Sequence, residues 1–337
     1  MSIVAYRFNP PYLLFLGDVQ DPRQAKSANG VLYWRPEYCM GQLRLPGCKA
    51  DLGLPDLSPA KAAERGARSF LVGLAPPGGA VEEGWLAPLR EALRAGLDVI
   101  SGMHVQLSAE PQLQQIARET GARILDLRRS AEGVPLGTGR RRTGKRLLTV
   151  GTDCAVGKMF TTLALERELL KRGQRAQFRA TGQTGIMIAG EGICIDAIVS
   201  DFTAGAAEML SPDNEPEHWD LVEGQGSLFH PAYAGVSLSL LHGSQPDFLV
   251  VCHDCARVAI VGVSGYRVPT LEECIEANLA AARLVNPRVA IAGVCLNTSA
   301  MSENDARAIL RSTSERLGLP ACDPVRTGVG AIADRLG

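Results

Sequence analysis

The stretch Leu147–Gly173, LLTVGTDCAVGKMFTTLALERELLKRG, decides the fold. It opens on a short apolar run, Leu147–Gly151, that reads as a strand. It ends in a helical pattern in which Phe160, Leu163, Ala164 and Leu170 make an apolar face closed by Gly173. A strand, a glycine-bearing turn and a helix in that order bring backbone N–H groups, a helix N-terminus and Lys158 around one point. A di- or triphosphate needs that combination. Gly151, Thr152, Asp153, Cys154, Ala155, Val156, Gly157, Lys158 and Met159 are therefore expected to line a phosphate site. Two departures from the usual P-loop matter. Five residues, not four, separate Gly151 from Gly157, and Met159 stands where a Ser or Thr hydroxyl normally ligates Mg²⁺. Phosphoryl transfer leans on that metal, so Met159 favours a ligand whose pyrophosphate is gripped and left intact, such as coenzyme A, over ATP with Mg²⁺. Asp153, Thr161 and Thr162 are the residues that can substitute for the missing hydroxyl.

Downstream of this stretch, strands are expected over 175–180, 193–199, 221–223, 248–252 and 289–296, with helices near 203–210, 271–284 and 303–317. Upstream, Tyr12–Gly17, Phe70–Leu74, Leu97–Ser101 and Arg123–Leu127 read as strands at a spacing that suggests βαβ units. Leu86, Leu89 and Leu93, and then Leu113, Ile116 and Ala117, mark two covering helices. The periodicity breaks in RRSAEGVPLGTGRRRTGKR, Arg128–Arg146. The expected organisation is thus α/β throughout: a Rossmann-like N-terminal domain over 1–135, a linker over 136–146, and a P-loop NTPase-like three-layer domain over 147–337. Arg140, Arg141, Arg142, Lys145 and Arg146 are either solvated or a phosphate contact.

Thirty-five Lys and Arg against 36 Asp and Glu leave no field to attract nucleic acid or an anionic membrane, so a small-molecule partner is favoured. No apolar run reaches the ~18 residues of a membrane helix, and the first residues lack the pattern of a secretory signal. Nine scattered cysteines suit reduced thiols, and the cytoplasm is the expected compartment. Cys252 and Cys255 have metal-like spacing with no second pair to complete a zinc site, and no metal ligands are assigned. A homodimer is expected only from the frequency of that state among oligomers.

Several residues can carry chemistry. ATGQTGIMIAGEG, Ala180–Gly192, reads as a glycine-rich second wall of the site, with Gln183 and Thr184 as polar contacts. Glu223 ends a short strand in WDLVEGQGSLFHP and is the first candidate for a general base, ahead of Asp201. His230 is a further proton acceptor near neutrality. Asp196 is the weaker of two acids flanking an apolar run. In the N-terminal half, loops at strand ends, including Ala75–Gly79 and Ser101–His104, are placed where open α/β sheets bind ligands. Lys26, Arg35 and Arg44 are candidates for gripping a carboxylate, Arg35 above all for its bidentate fork.

The combination GTDCAVGKM, TGQTG, SDFTAGAAE, EGQGSLFHPAYAG and LLHGSQPD, with YLLFLGDVQDPRQAKSANGV, WRPEYCMGQLRL and AGLDVISGMH upstream, resembles a bacterial P-loop family that includes D-glutamate N-acetyltransferases. The resemblance covers nearly the whole chain. It implies transfer of an acetyl group from acetyl-CoA to the α-amine of an amino acid, D-glutamate in the family. Glu223, Asp201 or His230 would then take the proton, and Arg35, Lys26, Gln183 and Thr184 would contact the substrate. The P-loop also resembles that of dethiobiotin synthetases. That likeness keeps an ATP-dependent ligase or kinase as the alternative, although those enzymes carry Ser or Thr where this chain has Met159.

Overall fold

The computed structural model describes residues 5–74, 82–129 and 133–337. Ala75–Gly79, one of the loops singled out above, lies outside them. The chain forms two compact units. One comprises Val4–Ser130 and Gln183–Ala197; the other comprises Met1–Ile3, Ala131–Gly182 and Ile198–Gly337.

The first unit alternates β1 (Tyr12–Gly17), α1 (Lys26–Trp34), β2 (Cys39–Arg44), α2 (Pro59–Glu64), β3 (Ser69–Val72), α3 (Glu83–Arg94), β4 (Asp98–Ser101), α4 (Pro111–Thr120) and β5 (Ile124–Asp126). Its five strands pair in parallel in the order β2-β1-β3-β4-β5. Every residue of β1, YLLFLG, is buried, the continuous apolar run expected of a strand covered on both faces. Phe15 packs against Phe70 at 5.2 Å and edge-on to Trp85 at 6.0 Å, and the indole N–H of Trp85 reaches Asp18 at 2.8 Å.

The rest of the chain carries β6 (Lys145–Gly151), α5 (Lys158–Lys171), β7 (Ala176–Arg179), α6 (Gln183–Ala189), α7 (Thr203–Leu210), β8 (Trp219–Val222), α8 (Ala234–Ser244), β9 (Phe248–Asp254), α9 (Leu271–Arg283), β10 (Ala290–Asn297), α10 (Glu303–Leu317), β11 (Ala321–Cys322) and α11 (Gly330–Ala333). All of these but α6 belong to the second unit. Its six strands are again all parallel, ordered β11-β10-β9-β6-β8-β7. β6, which feeds the P-loop, lies between β9 and β8. The strand ends on both sides of it therefore reach the same edge of the sheet.

Several expectations need correction. The run 193–199 is not a strand: it holds a single 3₁₀ turn, Ile195–Ala197. The glycine-rich wall is instead the helix α6, whose Ile186, Met187 and Ile188 are buried and which packs on α1 within the first unit. Short apolar runs between glycines do not separate strand from helix by pattern, and packing decides. In α5 the buried face uses Leu165 and Leu169, while Leu170 is 51% exposed. The arginine-rich stretch before β6 is bonded into the second unit. Arg142 donates to the carbonyls of Glu208 and Gly243 at 2.9 and 2.6 Å, while Arg140, Arg141 and Lys145 pair with Asp213, Asp247 and Glu217. That cluster is engaged within the protein, Arg142 by buried hydrogen bonds and Arg140, Arg141 and Lys145 by more exposed ion pairs.

Candidate functional site

The P-loop is shaped by two residues with positive φ, Ala155 at 53° and Gly157 at 102°. Glycine adopts that conformation without strain; for Ala155 it costs about 1–2 kcal/mol, a local strain typical of ligand-gripping loops. Gly157 is the N-cap of α5 and no side chain caps the helix, which leaves its first N–H groups turned towards the loop. Lys158 is 6% exposed and its Nζ donates to the Asp153 carbonyl at 2.8 Å, inside the loop. Burial pushes its pKa below the usual lysine range.

The hydroxyls offered as stand-ins for a metal ligand are committed elsewhere. Thr162 Oγ1 bonds Thr149 Oγ1 at 2.9 Å and donates to the Lys158 carbonyl at 2.8 Å, and Thr161 Oγ1 accepts from the Cys252 thiol at 3.4 Å. Asp153, fully buried, accepts from the Arg257 guanidinium at 2.7 Å, from the Val261 N–H at 2.8 Å and from the Cys154 N–H at 2.7 Å. It latches the P-loop to the segment after β9, a contact between residues 104 and 108 positions apart that no local pattern announces.

On the other flank, at the end of β8, Glu223 is 4% exposed and its Oε2 accepts the N–H groups of Thr181 and Gly182 at 2.9 and 3.1 Å. The next residue, Gly224, lies against β6 and the Lys158 side chain: a Cβ there would stand 1.7 Å from the Thr149 carbonyl oxygen and 3.0 Å from Lys158 Cδ. Only glycine fits. His230, 3% exposed, accepts the Ala232 N–H on Nδ1 at 3.2 Å and meets the Val261 carbonyl through Nε2 at 3.1 Å, a pattern that one tautomer, protonated on Nε2, satisfies. Glu223, His230 and the P-loop thus belong to one unit and one sheet edge. Asp201, exposed on the one-turn helix Ser200–Phe202, belongs to the same unit.

One grouping was not foreseen. Asp153, Cys154 and His230 each bring a potential metal-ligand atom within 4.8 Å of the others. The Asp153 carboxylate is already paired with a guanidinium and both His230 nitrogens are engaged, so a cation there has to compete with bonds the fold has made. The Cys252 and Cys255 thiols are each pushed up to about 11 by burial.

The substrate-contact candidates all lie in the first unit. Lys26 begins α1 and is exposed; Arg35 caps its end, with Nη1 on the Trp34 carbonyl at 2.9 Å. Arg44 is paired with Asp51 and Asp56. Thr184 Oγ1 bonds Ser27 Oγ at 2.9 Å. Gln183 Oε1 accepts from Arg128 Nη2 at 2.7 Å, and Arg128 also bonds the Gly102 carbonyl at 2.8 Å and pairs with Asp196. His104, two residues beyond Gly102, has its pKa lowered by burial and by Arg128, against an opposing pull from Asp196. Sequence reading placed Arg128 at the start of an aperiodic stretch and gave it no role; its position two residues after β5, at a strand C-terminus, was the available signal.

A parallel sheet carrying a P-loop, joined in one chain to a second doubly wound parallel sheet, defines a two-domain α/β protein of the P-loop class. Residues 135–333 match the family described as "Domain of unknown function (DUF1611_C) P-loop domain", and residues 43–130 match its partner, "Domain of unknown function (DUF1611_N) Rossmann-like domain". The chain belongs to this DUF1611 family. It is 46% identical over 326 residues to a protein of Tritonibacter scottomollicae named D-glutamate N-acetyltransferase, covering 97% of this chain and 98% of that one. A protein of the same name from a Pseudoalteromonas species is 45% identical over 330 residues, covering 98% and 99%. The crystal structure of a DUF1611 family protein from Anabaena variabilis superposes with a TM-score of 0.87 at 30% identity, covering 97% of this chain and 99% of that one.

Proposed function

We propose that this chain is a D-glutamate N-acetyltransferase that takes its acetyl group from acetyl-CoA. The observation that carries the cofactor reading is the P-loop itself. It has the uncapped helix end and buried lysine that suit a pyrophosphate, with Met159 where a magnesium ligand normally stands and the nearby threonine hydroxyls tied into the core. Gly151 to Met159 would hold the pyrophosphate of coenzyme A, whose thioester supplies an activated acetyl group. The identity to two relatives of that name over almost their full length supports the reaction. In the transfer the substrate amine attacks the thioester carbonyl, a C–N bond forms, the C–S bond breaks, the thiol leaves and the ammonium proton passes to a base.

The pantetheine arm separates pyrophosphate from thioester by a chain longer than any side chain. Glu223, held beside the P-loop by two backbone N–H groups, therefore positions the Thr181–Gly182 turn at the pyrophosphate end, and His230 braces the segment ending at Val261. Asp201 and His104, both exposed, are accessible proton acceptors. A cytoplasmic location fits nine cysteines that form no disulfide among the described residues. Among the described residues no helix is long and apolar enough to cross a membrane.

The test is titration calorimetry of the purified chain with acetyl-CoA and, separately, with ATP and Mg²⁺, followed by a thiol-release assay over D- and L-glutamate. Binding of acetyl-CoA and thiol release with D-glutamate are expected. Binding of ATP with Mg²⁺ and not of acetyl-CoA would overturn the reading in favour of a ligase or kinase.

A further inference from the structure

The first unit contains a guanidinium whose surroundings are built for an exchangeable carboxylate. Arg128 follows β5 at the C-terminal edge of the sheet, where open α/β folds bind ligands. Its side chain is 13% exposed, so it needs a counter-charge. Two of its nitrogens are fixed by neutral groups: Nε donates to the Gly102 carbonyl at 2.8 Å and Nη2 to Gln183 Oε1 at 2.7 Å. Gln183 is itself pressed onto Gly102, where a Cβ would stand 2.5 Å from Gln183 Cγ, and α6 is tied to α1 through Thr184 and Ser27 at 2.9 Å. The fork is thus aimed, and its remaining nitrogen, Nη1, pairs with Asp196 Oδ2.

Asp196 is a different kind of partner. It sits on the 3₁₀ turn Ile195–Ala197, its side chain is 32% exposed, and its other oxygen accepts only a weak bond from the Cys194 thiol at 3.1 Å. A solvent-facing carboxylate of that sort gives up its ion pair at little cost, whereas the partly buried guanidinium is the member of the pair that needs a counter-charge.

We propose that Arg128 is the residue that binds a carboxylate of the amino-acid acceptor, and that Asp196 is a resident counter-ion which the substrate carboxylate displaces. The proposal rests on the acetyltransferase reading above and adds the acceptor site to it. An arginine can be aimed through Nε and Nη2 while Nη1 meets a carboxylate, which the single ammonium of a lysine cannot do, and a dicarboxylic amino acid offers that group twice.

The experiment uses the full chain with acetyl-CoA and D-glutamate. Asp196→Ala removes the internal competitor, and the KM for D-glutamate is expected to fall about threefold to tenfold while the KM for acetyl-CoA is unchanged. Arg128→Lys, which keeps the charge and loses the fork, is expected to raise the D-glutamate KM at least about tenfold with acetyl-CoA affinity intact. A KM for D-glutamate that is unchanged or higher in Asp196→Ala would overturn the proposal and leave the pair as a clasp between β5 and the 183–197 segment. If Arg128→Lys fails to fold, the Asp196→Ala result decides alone. If the wild-type chain acetylates nothing, the activity reading falls separately. Calorimetric titration of D-glutamate into wild type and Asp196→Ala then reads the site directly: tighter binding to the variant upholds it, and equal, weaker or no binding sinks it.

Discussion

The two candidate sites place a cation, buried at Lys158 and partly buried at Arg128, at the C-terminal edge of a parallel sheet, and they neutralise it differently. Lys158 lies inside its own loop against a carbonyl oxygen, while the neighbouring Asp153 carboxylate is turned to Arg257 and Val261. Arg128 is paired with a carboxylate of the same unit. The first arrangement leaves positive potential, from the ammonium and the uncapped α5, for an incoming anion to meet. The second exchanges one carboxylate for another, so its net gain is smaller. A cofactor gripped firmly by the P-loop and an acceptor held weakly by Arg128 are what this difference predicts.

The largest effect that would break the comparison is expected for Lys158→Ala. Removing one partner of a buried charged contact costs about 2–5 kcal/mol, a weakening of acetyl-CoA binding of about 30-fold to several thousand-fold. D-glutamate affinity is expected to change far less. A drop in both affinities, measured by calorimetry, would show that the two sites are not independent.

Glu223→Gln comes next. If Glu223 positions the Thr181–Gly182 turn at the pyrophosphate end, its amide replacement keeps an oxygen to accept an N–H, and kcat should fall by no more than about tenfold. A loss of about a thousandfold in kcat with acetyl-CoA binding retained would instead make Glu223 the proton acceptor.

The smallest effect is a protonic one. Burial lowers the pKa of Lys158 in the free protein, whereas a bound pyrophosphate raises it by favouring the ammonium. Above the depressed pKa, binding must therefore take up a proton, and affinity declines as pH rises through it; below that pKa no uptake occurs. Calorimetry of acetyl-CoA binding in buffers of different ionisation enthalpy measures the uptake. Zero uptake across the alkaline range would mean that the free lysine is already charged.

The same contrast explains what was legible before the structure. The phosphate site is written in consecutive residues, Gly151 to Lys158, flanked by a strand and a helix that their own periodicity reveals. Helices Thr203–Leu210 and Glu303–Leu317 and strand Tyr12–Gly17 have the bounds their patterns predict. The guanidinium site is assembled from Gly102, Arg128, Gln183 and Asp196; the sequence pointed to the Ser101–His104 loop, Gln183 and Asp196 one by one, but not to Arg128 or to their meeting. Arg128 read as the start of an aperiodic stretch, and α6 read as a loop because its glycines hide a helix that exists by packing on α1.

From sequence alone came the α/β class, the P-loop with its missing magnesium hydroxyl, and a family likeness spanning the chain. Those features are local or compositional: strand and helix periods, glycine positions and the offset of Lys158 survive reading one residue after another. The tertiary structure decided that Asp153 pairs with Arg257, that Glu223 is held by two backbone N–H groups, and that 183–197 belongs to the first unit. Each of these is a choice of partner for a buried polar group or an apolar face. Burial makes that choice obligatory without specifying it locally, because an unpaired polar group inside a protein costs more than any nearby propensity can offset.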